Sequence, residues 1–386
     1  MRIINNKIIH GNCFEVMKNL SNITAIITDP PYGIEFMGKD WDSFKEDKGN
    51  KSQIKKYQEW CMNWSKIEYD CCLPGAWLLC FGGTRTYHRL ACGLEDAGWE
   101  IRDCIMWIYG SGFPKSLNIS KKIDKLSGGK EEVIKWNGYG TGLKPAWEPI
   151  ILARKPINKT VINNCLKYGC GGLNIGESKV PIDPRLDNPQ LRKMNRSKRN
   201  CDTSSQKWGL SKNQNDNPQV VHPSGRWPSN LIYDGSDEVE NIFLKFGHKK
   251  SGDNCTRKKE GYFGAGDSKH FGLGYPGDIQ TTYGDKGSVS RFFYCAKASK
   301  SEKEEYNDHP TVKPIELMKY LLNLIKQPEK NLVLDPFAGS GSTLIAAAKI
   351  GIKCIGIERN ENYVSIIKKR LKSFYIKKYN KVGELW

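Results

Sequence analysis

The chain reads as an α/β protein built on a mostly parallel sheet, delivered in two blocks with an irregular region between them. Three observations point there. Short apolar runs alternate with helical stretches over residues 1–155 and again over 290–386. Each strand-like run is apolar on both faces, as expected of a sheet covered by helices on both sides. Between the blocks, residues 156–289 lose that alternation and become rich in Gly, Asn, Lys, Ser and Pro.

In the first block, KIIH (Lys7 to His10) and AIITD (Ala25 to Asp29) read as strands, with CFEVMKNL between them as a helix. A helix is expected over Lys55 to Asp70, a buried strand over Gly75 to Gly82, and a helix through Tyr87 to Ala97. WEIRDCIMWIY and PAWEPIILARK read as the last strands of this block. In the second block RFFYCAK is strand-like and PIELMKYLLNLI is an amphipathic helix. NLVLDPFAGSGST is a strand running into a Gly-rich turn, IAAAKIG a helix, KCIGIER a strand, and YVSIIKKRLKSFYIKK a closing basic helix. The middle region carries Trp208, Trp227, Phe263, Phe271 and Tyr275. Disordered segments tend to lack aromatics, so an irregular, loop-rich domain is expected there.

Composition narrows the functional classes. At 386 residues the chain is long enough for one large domain plus a smaller one, and 38% hydrophobic with 26% charged suits a soluble globular protein with substantial polar surface. A net charge of +18 points to a polyanionic partner. The N-terminal stretch MRIINNKIIHGNCFEVM lacks a signal-peptide core, and no apolar run approaches the ~20 residues of a membrane helix. Thirteen cysteines, such as Cys80 in AWLLCF and Cys354 in IKCIGI, sit mostly in apolar surroundings. That favours reduced, buried thiols in a cytoplasm over a disulfide framework. Cys165, Cys170, Cys201 and Cys255 are irregularly spaced with no C-x-x-C pair, so no metal site is expected.

Two motifs carry chemistry. DPPYGI, Asp29 to Ile34, follows the apolar run AIIT. Pro30 and Pro31 stiffen the backbone and remove donors, so the Pro30 carbonyl can face outward beside the Asp29 carboxylate. Together they offer two acceptors for the two N–H bonds of an exocyclic amine, and Tyr32 offers a ring for a base to stack on. The plain alternative is a proline turn capping a strand. DPFAGSGST, Asp335 to Thr343, places an acidic residue and then glycines between a strand and a helix, where backbone can approach a ligand. No Lys follows the glycines as a phosphate-binding Walker loop requires. Glu358 ends the next strand, where a carboxylate can accept from ribose hydroxyls.

The pair, in that order with a basic insert between, resembles the beta class of S-adenosylmethionine-dependent DNA amino-methyltransferases, the adenine-N6 and cytosine-N4 family. GNCFEVM (Gly11 to Met17), KPAWEPIILARKP (Lys144 to Pro156) and HPTVKP (His309 to Pro314) extend the resemblance over both outer blocks. It implies a Rossmann-like seven-stranded sheet, circularly permuted, with an inserted target-recognition domain. Residues 1–155 would form the catalytic half, 156–289 the DNA-binding insert, and 290–386 the cofactor half. It implies Asp29, Pro30, Pro31 and Tyr32 as catalytic. For S-adenosyl-L-methionine it implies Asn12, Cys13, Asp29, Thr311, Lys313, Asp335, Pro336, Phe337, Gly339, Gly341, Ser342, Thr343 and Glu358. Asn12 stands where the family normally has Asp, and Thr311 and Lys313 would lie near the methionine end of the cofactor. The target nucleotide must be flipped out of the duplex, with KDWDSF (Lys39 to Phe44) as a closing loop and Trp41 at its centre. Five basic residues in LRKMNRSKRN, namely Arg192, Lys193, Arg196, Lys198 and Arg199, are expected to meet phosphates. The implied partner is double-stranded DNA in a bacterial or phage-infected cytoplasm. Homodimers occur in the family, and a companion restriction endonuclease would be a separate protein. Adenine is favoured because family members acting on cytosine usually carry Ser in place of Asp29. Cytosine-N4 methylation and an inactive DNA-binding protein stay open as alternatives.

Overall fold

The computed structural model describes residues 6–34, 42, 50–112, 114, 116–126, 129–181, 225–250, 255–256, 279–280, 286–296 and 306–379. Trp41 and the basic run at 191–200 lie outside the described residues. The strands of the main sheet are β1 (Lys7–His10), β2 (Ile23–Thr28), β3 (Cys72–Phe81), β4 (Glu100–Ile108), β5 (Trp147–Arg154), β6 (Leu231–Tyr233), β7 (Tyr294–Cys295), β8 (Leu332–Asp335) and β9 (Lys353–Glu358). The helices are α1 (Cys13–Val16), α2 (Asn50–Cys71), α3 (Tyr87–Asp96), α4 (Ile119–Lys125), α5 (Lys130–Lys135), α6 (Val161–Tyr168), α7 (Asp237–Lys245), α8 (Ile315–Ile325), α9 (Ser342–Ile350) and α10 (Glu361–Tyr379).

The strand order is β1-β9-β8-β2-β3-β5-β4-β6-β7. Only β5 runs antiparallel to its neighbours; every other pairing is parallel. The sheet has nine strands where seven were expected. The seven long ones match the expectation, and the two-to-three-residue strands β6 and β7 extend the edge beyond β4. β7 lies within RFFYCAK, read as strand-like, whereas the three-residue run of β6 is too short to stand out.

Period-two alternation explains how both faces are buried. Ala25, Ile27, Trp77, Leu79, Phe81, Ile150 and Leu152 point to a core shared with α8 and α9. Ile26, Ala76, Leu78, Cys80, Ile151 and Ala153 point to the opposite core, which holds Tyr57, Cys61 and Trp64 of α2 with Leu90 and Leu94 of α3. The C-terminal ends of β2, β3, β4, β8 and β9 emerge on one edge of the sheet. Ligands of open α/β sheets bind at that edge.

The chain divides into two compact units. The first comprises 1–178, 228–240 and 293–386 and carries the main sheet. The second comprises 179–227 and 241–292. Residues 156–178 and 228–240, inside the range read as insert, belong to the sheet-bearing unit, and they supply α6 and β6. In the second unit Val180 bridges Arg226, and Lys249–Lys250 pair with Lys286–Gly287. Arg291 donates to the carbonyls of Gly287, Ser288 and Lys249. Among the described residues no helix is long and apolar enough to cross a membrane.

Candidate active site

The turn from Asp29 to Ile34 begins where β2 ends. Its backbone is pinned from several sides. Tyr57 donates its hydroxyl to the Pro31 carbonyl at 3.1 Å, and Thr86 donates to the Tyr32 carbonyl at 2.7 Å. The Asp42 carboxylate accepts the amides of Gly33 at 2.6 Å and Ile34 at 3.2 Å. None of these contacts involves the Pro30 carbonyl. Asp42 is fully buried, so this part of KDWDSF props the turn from below. Sequence reading singled out that segment only as a closing loop.

The side chains of the turn form a closed polar ring. Tyr32 donates its hydroxyl to Asp29 Oδ1 at 2.7 Å and lies 3.3 Å from Glu148 Oε2. Lys313 Nζ sits 2.7 Å from Asp29 Oδ2 and 3.1 Å from Glu148 Oε2. The same ammonium lies over the rings of Phe81 at 4.8 Å and Tyr32 at 5.7 Å. Burial alone would lower the Lys313 pKa, but the Asp29 and Glu148 carboxylates outweigh it and hold it above the ordinary lysine value. Burial, then the same two carboxylates, raises the Tyr32 phenol well above its ordinary value, so it stays protonated and donating. Glu148 was missed by sequence reading, although it lies in the quoted segment KPAWEPIILARKP. The only signal was an acidic residue at the start of an otherwise apolar strand.

The second motif meets the first across the sheet. β8 lies beside β2, so Thr28 donates to Asp335 Oδ1 at 3.0 Å. Thr343 donates to Asp335 Oδ2 at 2.5 Å, and the Phe337 amide reaches Oδ1 at 3.2 Å. Burial pushes the Asp335 carboxyl up to about 7, against the pull of those three donors. Glu358 Oε2 accepts the Gly339 amide at 2.9 Å and Oε1 the Asn360 amide at 2.7 Å. Burial raises its pKa as well. Gly339 and Gly341 have φ of +52° and +83°. A Cβ would lie 2.9 Å from His309 Nε2 at the first and 2.9 Å from Ile367 at the second. Glycine is required there because the chain is both left-handed and crowded.

Of the remaining expected residues, Asn12, Cys13, Thr311, Pro336, Phe337 and Ser342 line one cavity of about 1640 Å³, and Gly341 does not. Asn12 caps α1 by accepting the Phe14 amide at 3.0 Å. The Cys13 thiol is buried, which raises its pKa to about 12 and keeps it neutral. Thr311 meets the His309 ring through its backbone. Pro336 lines the cavity, whereas Phe337 also packs against Trp60 and Trp64, with centroids 5.7 and 5.4 Å apart. Gly341 precedes α9 without a capping side chain, and the Ser342 hydroxyl is buried with no partner. Residues of both motifs line this one cavity.

Comparison with known proteins agrees with this geometry. A family model described as DNA methylase, covering N6 and N4 enzymes, matches residues 23–369. The Type II methyltransferase M.HindIII of Haemophilus influenzae is 23% identical over 93% of this chain and 92% of its own. DNA adenine methyltransferase YhdJ of Escherichia coli is 44% identical over a shorter stretch, 18% of this chain and 23% of its own. Among solved structures, PvuII DNA methyltransferase, cytosine-N4-specific, aligns over 97% of this chain and 93% of its own, with 12% identity and a TM-score of 0.49.

Proposed function

The chain belongs to the N6/N4 DNA methylase family, and on that premise we propose that it methylates the exocyclic N6 amine of adenine in duplex DNA, by direct displacement after base flipping. S-adenosyl-L-methionine, when bound, supplies an electrophilic methyl on a sulfonium. The observation that carries the reading is the meeting of the two motifs. The Asp29 turn and the Gly339–Gly341 loop open into one cavity and are tied together by the Thr28–Asp335 hydrogen bond. The loop fits such a ligand through Gly339 and Ser340 lining the cavity and the buried, unpartnered Ser342 hydroxyl beside them.

In this reading Asn12, Cys13, Thr311, Asp335, Pro336, Phe337, Gly339, Gly341, Ser342, Thr343 and Glu358 form the cofactor wall. Asp29 and the Pro30 carbonyl accept the two N–H bonds of the target amine. Those bonds draw the nitrogen lone pair out of conjugation with the ring and toward the methyl. Tyr32 presents its ring to the base, a contact of about 1–3 kcal/mol, and its hydroxyl holds Asp29 in place. Lys313 pairs with the Asp29 carboxylate at 2.7 Å and fixes its orientation. When the amine engages Asp29, Glu148 retains the ammonium, so the cation need not leave the pocket. The alkylated amine is cationic and acidic, and Asp29 can take its proton. Pro31 orients the turn through the Tyr57 contact.

Adenine is preferred over cytosine because Asp, not Ser, precedes Pro-Pro-Tyr, and YhdJ is by name an adenine enzyme. The basic insert, with Arg192, Lys193, Arg196, Lys198, Arg199 and Trp41 of the closing segment, is proposed to contact DNA. The test is methylation of plasmid DNA followed by nucleoside mass spectrometry, with Asp29→Ala as control. N6-methyladenine is expected from the wild type, and none from a variant that still binds S-adenosylmethionine by calorimetry. Methylcytosine without methyladenine would overturn the choice of base, and normal turnover by Asp29→Ala would overturn the mechanism.

A further inference from the structure

Between β4 and β5 the chain makes an excursion, residues 110–146, that no motif explained. It leaves from the sheet edge that carries both motifs. It is a built lobe, closed on itself by several bonds. Asn118 bridges Gly140, and the Leu117 amide donates to Thr141 Oγ1 at 2.9 Å. The Thr141 amide donates to Ser116 Oγ at 2.9 Å, and Lys144 donates to the Gly110 carbonyl at 2.5 Å. Trp136 and Tyr139 pack edge to face with centroids 5.2 Å apart.

This lobe has almost no interior. α5 buries no residue, and Leu126, Ile134 and Leu143 are 71%, 74% and 94% exposed. Leu143 is also one of the residues lining the cavity, and a large exposed apolar side chain at such a place marks a contact surface. The polar residues say what kind. From Gly110 to Ala146 there are seven Lys against three acidic residues. Lys121, Lys122 and Lys125 lie on or beside the short turn of α4, with Lys130 and Lys135 at the two ends of α5. The returning segment, Thr141 to Ala146, forms a wall of the active-site cavity itself. A lysine-rich excursion that brings an exposed leucine to the wall of the cavity fits a polyanion whose stacked interior is opened at that point.

We propose that this lobe is a second DNA-contact surface, separate from the insert. Its lysines meet phosphates beside the target, and Leu143 enters the gap left in the base stack when the target nucleotide rotates into the cavity. The proposal rests on the DNA-methylation reading. A side chain filling the gap offsets part of the unstacking cost of flipping, while lysines on phosphates set the salt dependence.

The two roles separate experimentally in the full-length chain, once methylome sequencing of an expressing host has mapped the site. Two variants are compared with wild type, Leu143→Ala and the fivefold Lys121→Ala, Lys122→Ala, Lys125→Ala, Lys130→Ala, Lys135→Ala. Both are first checked for an unchanged melting temperature and S-adenosylmethionine affinity. The fivefold variant is expected to lower the log–log salt slope of duplex binding by about one unit per lost phosphate contact. Leu143→Ala is expected to keep that slope but to lose about tenfold in kcat/KM on paired duplex. It should recover on a duplex whose target base faces an abasic position, where flipping costs less. A wild type that methylates no DNA overturns the underlying reading. A wild type that methylates, while both variants keep its salt slope and duplex rate, overturns the lobe proposal alone. A fall in mass by light scattering in the fivefold variant, with the salt slope unchanged, assigns the face to a second copy of the chain and also overturns it.

Discussion

Lys313→Met removes the one cation that separates Asp29 from Glu148 in the described structure, and its consequences can be worked from distances. The ammonium lies 2.7 Å and 3.1 Å from the two carboxylates. At an effective dielectric of about 20 each contact is worth roughly 5 kcal/mol before desolvation is counted. Removing one partner of a buried ion pair costs about 3–5 kcal/mol. Asp29 and Glu148 keep 23% and 22% of their side-chain surface in water, which places the loss at the lower end of that range. Without the cation, the two carboxylates share the Tyr32 hydroxyl and repel, so at least one takes up a proton well above its ordinary pKa. A carboxyl whose folded pKa is raised contributes stability at low pH that is lost as pH rises through that value. The variant is therefore less destabilised at pH 5 than at pH 8. Its methylation rate runs the other way, because only ionised Asp29 accepts the target amine: depressed about 100-fold near pH 7, it climbs with pH. Urea unfolding at both pH values and single-turnover methylation across pH 6–9 read the two trends. Lys313→Met combined with Glu148→Gln relieves the repulsion, so the double variant should be more stable than the sum of the single losses by about 1–3 kcal/mol. Strict additivity, or a flat pH–rate profile in Lys313→Met, would refute the reasoning.

Glu358→Ala strands the amides of Gly339 and Asn360; it should cost about 1–3 kcal/mol and weaken S-adenosylmethionine binding, measured by calorimetry, while DNA affinity at saturating cofactor stays near normal. Gly341→Ala forces a Cβ into a left-handed position 2.9 Å from Ile367 and should lower stability by about 1–3 kcal/mol in thermal melts; an unchanged melt would show that the loop relaxes. Asp335 has its carboxyl raised to about 7 by burial, so its contribution is full below about pH 4 and lost as pH rises through about 7. Asp335→Asn should flatten the fall in urea midpoint between pH 5 and pH 8, and an unaltered slope would show that other groups carry it.

The long strands and helices were legible because each carries an apolar run of the right length. KIIH, KCIGIE and IELMKYLLNLI fall where their periodicity places them. α2 begins five residues earlier than the apolar periodicity suggested, since NKSQI is polar but helix-compatible. α4 and α5 were not anticipated. They are short, lysine-rich and almost without buried residues, so they carry no periodic signal. The motif residues were singled out because proline fixes φ and glycine opens the left-handed region, so each marks special backbone wherever it occurs. Glu148 and Asp42 were not, because their roles depend on which segments the fold places together. Glu148 reaches Tyr32 because β5 lies beside β3, from whose end Gly83 presses against the Tyr32 ring. Asp42 matters only because the amides of Gly33 and Ile34 turn toward it.

The distance between the two chemistries is set by sheet register. Val333 pairs with Ala25 and Leu334 with Ile26, so β2 and β8 end level with each other. Thr28 and Asp335, 307 positions apart in the chain, then meet within hydrogen-bond distance. Asp335 spends its other oxygen on Thr343, in the first turn of α9. One buried carboxyl thus holds the end of β2 and the start of α9 at once. A slip of one residue between β2 and β8 would turn every side chain of the moved strand to the opposite core. Ala25 and Ile27 would trade faces with Ile26, so the register that aligns the two motifs is enforced by both cores. Methyl transfer needs its acceptor and donor sites fixed to a fraction of an ångström, and if the two motifs supply those sites, as proposed, that fixity comes from core packing beneath the sheet edge.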